Sequence, residues 1–392
     1  MVLFTGKGGV GKTTLAAATA ALAAAEGHKA LVVSTDPAHS LADALGTGVG
    51  PEPTEVDGAL HAMQVDTQRA FEQSWREIQH YLVTVLDIAG VDPVEATELT
   101  VLPGAEEVLA LLAVRDAARS GDYDVLCVDC AATAETLRLL RLPEALSWWL
   151  GRLYPAERRL VRSMRPLLGR VSQLPVPPED VFAAVGRLHA ALTDVRALLT
   201  DPEIASVRLV LTPEQVVVAE ARRTLTALSL HGYRVDGVVA NRIFPAGADP
   251  WRMAWAAGQA QQLAEIRASF GPLPLWQVPY AAAEPLGLAA LTDLARAAYA
   301  GHDPVALPAG RAPLTVTRTT DGFALNLALP FASRGELDLA RHGDELVVTV
   351  GAHRRVLTLP SALRRCTVEG ARLVDGDLVV RFTPDPDLWM RR

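Results

Sequence analysis

Apolar positions change their spacing along this chain, and the changes outline its parts. In residues 1–130 short unbroken apolar runs alternate with helical patterns. Val2–Thr5 is the first run, and Thr13–Glu26, rich in Ala and Leu, is strongly helical and stopped by Gly27. Ala30–Thr35 is a β-branched run ending on Asp36-Pro37, and Tyr123–Val128 is an apolar run ending on Asp129. Val207–Leu211 and Val235–Ala240 continue the series with a helix over Pro213–Leu230 between them, and Gln277-Val278-Pro279 ends one more strand. Apolar strands alternating with helices predict an α/β fold, a mostly parallel sheet covered on both faces.

Two stretches break this rhythm. Residues about 67–120 and 135–200 are almost wholly helical in pattern, which predicts a helical subdomain inserted between sheet strands. Its apolar residues, Leu82, Val85, Ile88, Trp148, Trp149 and Met164 among them, either pack that subdomain or line a groove for an apolar client. Thr292–Tyr299 is the last helix of the first domain, placed at 1–303. A Pro/Gly-rich linker at 304–312 follows. Beyond it, in 313–392, the spacing becomes strict alternation. Phe323, Leu325, Leu327 and Leu329 share one face, as do Leu346, Val348 and Val350, and Leu378, Val380 and Phe382. That pattern predicts an antiparallel β-sandwich of about 80 residues.

Composition narrows the partners. The chain has 392 residues, of which 50% are hydrophobic, enough for two cores. A net charge of -8 makes it a poor non-specific binder of nucleic acid or anionic lipid, so no nucleic-acid partner is expected. The N-terminus has no basic n-region, and the Ala/Leu run Leu15–Ala25 has roughly half the length of a membrane span, so neither a signal peptide nor a membrane anchor is expected. Three cysteines fit a reducing, cytoplasmic setting, with the protein soluble or peripheral to a membrane through a partner. Cys127-Val128-Asp129-Cys130 has the spacing of a redox or zinc pair, but Cys127 falls inside an apolar strand, where packing is the simpler role, and no zinc is expected.

The candidate chemistry sits where the first run ends. Gly6-Lys7-Gly8-Gly9-Val10-Gly11-Lys12-Thr13 fits the phosphate-loop pattern G-x-x-x-x-G-K-S/T, placed between a strand and a helix as the pattern requires. Glycines let backbone N–H groups face phosphate oxygens, and the helix N-terminus adds positive potential. Lys12 would reach the terminal phosphates, and the Thr13 hydroxyl would ligate Mg²⁺, a hard cation that prefers oxygen. Of 37 Lys and Arg residues only Lys7, Lys12 and Lys29 are lysine, so two lysines in one loop point to a need for compact ammonium groups there.

Gly6–Thr14 as a whole resembles the deviant Walker A motif of the ATPase family that contains the arsenite-pump ATPase, the tail-anchored-protein targeting ATPase and the MinD and ParA ATPases. The resemblance implies ATP and Mg²⁺ as ligands. It also implies a homodimer in which Lys7 crosses to the partner's nucleotide, an arginine-finger-like charge. Asp36-Pro37-Ala38-His39-Ser40-Leu41-Ala42-Asp43 resembles the switch I segment of the arsenite-pump and tail-anchor branch, which implies that Asp36 orients the attacking water and contacts Mg²⁺ through water. His39 in this segment invites a catalytic role, with a structural role in the switch loop the leading alternative. Asp129, at the end of four apolar residues, resembles the Walker B aspartate that holds Mg²⁺ directly or through water. The segment it opens is similar to the family's switch II but departs from it at Cys130, Ala132, Ala134 and Glu135, which puts the family's coupling in question here. Asn241 and Pro279 resemble the family's adenine contacts. In the last module, Ala371–Leu378 is similar to the A-x-L-x-x-G-x-L signature of α-crystallin (small heat-shock) domains, with Asp377 at a position that is usually apolar.

Three functions follow from the resemblance. The first is an ATP-hydrolysing homodimeric switch that binds and releases an apolar protein client. The second is the energising ATPase of a metalloid efflux system, which would need grouped thiolates. The third is a positioning or partition ATPase, which would need a basic amphipathic terminal helix where the C-terminus is β-patterned.

Overall fold

The computed structural model describes residues 1–36, 40–65, 105–131, 133, 136–138, 140, 179–247, 249–306 and 312–389. The expected apolar faces of the helical insertion at 67–104 and 141–178, together with His39, Ala132, Ala134, Glu135 and residues 307–311 of the linker, lie outside this set.

The chain runs β1 (Val2–Thr5), α1 (Lys12–Ala25), β2 (Ala30–Ser34), α2 (Ser40–Leu45), β3 (Thr54–Asp57), β4 (Leu60–Gln64), α3 (Ala105–Arg119), β5 (Val125–Asp129), α4 (Glu179–Thr200), β6 (Ser206–Leu211), α5 (Gln215–His231), β7 (Val235–Ile243), α6 (Pro250–Phe270), β8 (Leu275–Pro279) and α7 (Leu288–Tyr299). The remainder is β9 (Leu314–Thr319), β10 (Gly322–Ala328), a 3-10 turn, β11 (Leu337–His342), β12 (Glu345–Val350), β13 (His353–Thr358), α8 (Ser361–Arg364), β14 (Cys366–Val374), β15 (Asp377–Pro384) and α9 (Pro386–Trp389). The first eight strands form one sheet in the order β3-β4-β2-β5-β1-β6-β7-β8.

The fold is a mostly parallel α/β sheet followed by an antiparallel sandwich, as the apolar pattern predicts. Compactness divides the chain into two units. The first comprises Met1, 16–201 and 286–292; the second comprises 2–15, 202–285 and 293–392.

In the first unit β2 pairs in parallel with β4 (Ala30 opposite Leu60) and with β5 (Ser34 opposite Asp129). Every residue of β2 and β5 is buried, which is why both read as unbroken apolar runs. The antiparallel hairpin β3–β4 has no counterpart in the sequence reading: β3 (Thr-Glu-Val-Asp) is mostly exposed, and His61 interrupts the apolar run of β4. Gln64, at the end of β4, is buried and points back to the end of β2.

In the second unit β1 pairs in parallel with β6, β6 with β7, and β7 with β8. Arg208 is fully buried in the middle of β6. Its guanidinium donates two bonds to the Asp236 carboxylate (3.2 and 2.7 Å), one to the Tyr299 hydroxyl (3.0 Å) and one to the carbonyl of Pro304 (2.8 Å). It also lies over the Trp276 ring at 4.4 Å. One side chain thus ties β6 to β7, to α7 and to the backbone of Pro304.

The sandwich packs a four-stranded sheet, β14-β15-β10-β9, against a three-stranded one, β11-β12-β13. Leu325 faces Val380 and Leu327 faces Leu378, and the core combines these with Leu346, Val348 and Leu357. The core is completed by Leu230, from the end of α5. Around it the buried Arg355 of β13 donates to the Leu230 carbonyl (2.6 Å), and the Thr226 hydroxyl donates to the carbonyl of Pro330. Phe331 meets the Phe270 ring edge-on at 5.7 Å. The sandwich is therefore packed onto α5 and the end of α6.

Candidate nucleotide site

The loop after β1 is shaped by what lies beneath it. A Cβ at Gly6 would fall 2.0 Å from the Val210 carbonyl oxygen of β6, so only glycine lets the chain turn there. Gly11 combines φ 96° with a Cβ position 2.4 Å from Asn241 Nδ2, again open to glycine alone. Gly8 and Gly9 are different. They are exposed, and a Cβ at either would meet nothing within 4 Å, so the mouth of the loop has room for a phosphate chain.

Lys12 is 6% exposed and folds back along the loop, its Nζ donating to the Lys7 carbonyl at 3.4 Å. Lys7 itself is half-buried at the rim beside Gly8 and Gly9. Thr13 and Thr14 stand half-buried in the first turn of α1, where helical N–H groups lack intrahelical partners. Open mouth, ammonium, hydroxyl and helix end together fit a magnesium-bound polyphosphate.

The other predicted residues of the second unit sit at the carboxyl ends of β7 and β8. Asn241 is buried, and its Nδ2 donates to the Val10 carbonyl at 2.8 Å, while Oδ1 accepts from the Arg242 N–H at 2.9 Å. The structure therefore places Asn241 under the loop and in contact with it. Pro279 is exposed at the end of β8, opposite Ile243, and the next residue, Tyr280, donates its N–H to the Ile243 carbonyl. Tyr280 stacks on Phe244 at 5.2 Å, and Trp251 and Trp255 extend the aromatic group.

In the first unit Asp36 follows β2 and Asp129 ends β5, the carboxyl edge where ligands bind in open α/β sheets. Asp129 is fully buried. Ser34 joins the two: its hydroxyl donates to Asp129 Oδ2 (3.2 Å) and accepts from the Asp36 N–H (3.3 Å). Gln64 Nε2 donates to the Asp36 carbonyl (2.8 Å), and Thr35 N–H donates to the Asp129 carbonyl (2.9 Å). Ser34 and Gln64 belong to no motif, and only the strand register reveals them. Cys127, Cys130 and Cys366 are all buried free thiols, and burial pushes the Cys366 thiol above its usual range.

A parallel sheet with a glycine loop leading into a helix, an ammonium folded into that loop and carboxylates ending the apolar strands define a P-loop nucleotide-binding protein. The chain belongs to the ArsA family of ATPases: residues 1–300 match the anion-transporting ATPase family, and residues 320–382 match the HSP20-like domain found in ArsA. An uncharacterized protein of Streptomyces coelicolor, SCO2128, is 41% identical over 100% of this chain and 99% of its own length. A putative arsenical pump-driving ATPase of Chlorobaculum tepidum is 37% identical over 93% of this chain and 91% of its own. More distantly, ATPase get3 of Schizosaccharomyces japonicus is 28% identical over 73% of this chain and 88% of its own. The reaction of this chain is accordingly ATP hydrolysis.

Proposed function

We propose that this ATPase is a cytoplasmic homodimeric switch whose nucleotide state governs the binding and release of an apolar protein client. The observation that carries the reading is the unequal setting of the two loop lysines. Lys12 is folded into its own loop, and Lys7 is half-buried beside the exposed Gly8 and Gly9, a difference that supports a role for Lys7 toward a second copy. In this reading the backbone of Gly6–Thr14 and Lys12 grip the phosphates, and Lys7 stabilises charge on the partner's nucleotide. Asp36 orients water, and Asn241 and Pro279 flank the adenine. Thr13 and Asp129, with Asp36 through water, would hold Mg²⁺, which when bound neutralises phosphate charge. The working division is 1–303, 304–312 and 313–392. The exposed apolar group Trp251, Met253 and Tyr280 in the second unit supports the client reading. Among the described residues no helix is long and apolar enough to cross a membrane.

A second reading, the energising subunit of a metalloid efflux system, is favoured by the name of the Chlorobaculum relative, a putative arsenical pump-driving ATPase. It needs a soft thiolate cluster, whereas the described residues hold no group of three or more His, Cys, Asp or Glu placed to bind a metal.

An Asp36→Asn variant, loaded with ATP, separates these readings. The switch predicts ATP binding, hydrolysis slowed on the order of 100-fold, a dimer by light scattering, and capture of proteins with a single apolar segment. A monomer with ATP bound, or arsenite-stimulated hydrolysis that depends on thiols, would contradict it.

A further inference from the structure

The bent end of β7 has a construction that the ATPase reading leaves unused. The pairing of β7 with β8 slips between Ala240 and Ile243, a bulge that falls on Asn241 and Arg242. Arg242 takes φ 58°, in the left-handed region that non-glycine residues rarely occupy and that persists only where surrounding bonds over-determine it. Those bonds are present. Gln259, in the middle of α6 and only 4% exposed, donates its Nε2 to the Arg242 carbonyl (3.0 Å) and accepts the Phe244 N–H on Oε1 (2.7 Å). Arg242 N–H in turn donates to Asn241 Oδ1. The bulge re-aims the Asn241 side chain, whose Nδ2 reaches 231 positions back in sequence to the Val10 carbonyl.

We infer that Gln259 and Asn241 form a brace that sets the shape of the phosphate loop: Gln259 locks the bulge, and Asn241 transmits its position to Val10, beside Gly11 and Lys12. The inference rests on the reading of Gly6–Thr14 as a polyphosphate cradle, and it assigns two positioning residues to that cradle. Several observations agree. The Asn241 amide lies so close to Gly11 that no side chain fits between them, so loop and amide meet along a face and not at one atom. Both ends of each amide are engaged, which fixes their orientation. Val10 is 3% exposed, so its carbonyl has little access to water, and loss of the Asn241 donor would leave it unsatisfied. A loop whose carbonyls are held from below keeps its N–H groups pointing outward, as phosphate binding requires. The brace is compatible with an adenine contact at the same residue, because the Asn241 amide nitrogen carries a second hydrogen.

A contact to the base and a brace under the loop are told apart by a ligand that has no base. The affinities of ATP and of inorganic tripolyphosphate are measured by calorimetry on the full-length chain and on its Asn241→Ala and Gln259→Ala variants. The brace predicts that both ligands weaken by the same factor in Asn241→Ala, about tenfold for one lost buried hydrogen bond, and in the same ratio in Gln259→Ala. Gln259 touches no ligand in any reading, so that variant decides alone if Asn241→Ala does not fold. Tripolyphosphate affinity unchanged in the folded variants, whether or not ATP affinity falls, would overturn the brace. Wild-type protein that binds neither ligand would instead sink the nucleotide reading beneath it.

Discussion

Ser34 lies outside the phosphate-binding pattern, yet its hydroxyl stands between the buried Asp129 carboxylate and the backbone of Asp36. In the proposed reading Asp129 holds a metal and Asp36 orients water, so the two must keep a fixed relation, and this hydroxyl is a short physical link between them. Ser34→Ala removes it without adding bulk and leaves two polar groups to find other partners. We expect the maximal rate of hydrolysis to fall on the order of tenfold, and the Mg²⁺ needed for half-maximal rate to rise, with the Michaelis constant for ATP little changed. Steady-state hydrolysis over a Mg²⁺ series checks this, and an unchanged Mg²⁺ dependence would remove Ser34 from the site.

Arg208 poses the opposite case, a charge kept for architecture. Burial alone would lower its pKa. The Tyr299 hydroxyl and the Asp236 carboxylate more than offset this and hold it above the ordinary guanidinium range. For a raised cation, stability is present at every pH below the unfolded value and is lost only as pH rises through the folded one. Arg208 therefore contributes no slope to stability between about pH 5 and 9. Removing one partner is costly because the other remains buried and charged. Arg208→Met is expected to cost about 3–5 kcal/mol in urea unfolding, and Arg208→Met with Asp236→Leu less than the single change. A loss below about 1 kcal/mol for the single variant would contradict this.

At the scale of elements, the apolar pattern identifies most of the sheet. The unbroken apolar runs from Val2, Ala30, Val207 and Val235 fall in β1, β2, β6 and β7, and the alternating positions of the sandwich become its core. Regular period is strong where one environment acts on the whole element. The exceptions are places where a single polar side chain decides. The β3–β4 hairpin is hidden because an edge strand can be charged and exposed. Of the candidate site, the loop and the two strand-end aspartates are legible because phosphate and metal chemistry demand particular residue types at particular spacings. Ser34, Gln64 and Gln259 are not, because they act through bonds between segments far apart in sequence.

Arg355 is the same lesson in the sandwich. Alternation in β13 directs it inward, where an apolar residue would be expected, and it bonds instead to the last turn of α5. A cation at a helix C-terminus is favoured by the carbonyls exposed there. Arg355→Ala should cost about 1–3 kcal/mol and speed amide exchange around 228–233, while Arg354→Ala on the exposed face should do neither. Exchange unchanged in Arg355→Ala would show that the sandwich and α5 are held by apolar packing alone.

At the scale of the whole molecule, the similarity to SCO2128 runs along the full chain, through the residues matched as ATPase and those matched as HSP20-like. The sandwich shares Leu230 with the ATPase part in one core, so removing it would expose that face of α5 as well as delete a module. The proposed dimer belongs to this scale too, because one chain carries one phosphate loop, whose second lysine, Lys7, is half-buried beside the exposed Gly8 and Gly9. All of this depends on that loop gripping a triphosphate. The direct test is nucleotide binding and hydrolysis by the purified full-length protein with Mg²⁺, beside its Lys12→Ala variant. The account predicts that the wild type retains and hydrolyses ATP and that Lys12→Ala loses on the order of 100-fold or more in rate. Equal binding and equal rates in the two proteins would contradict it.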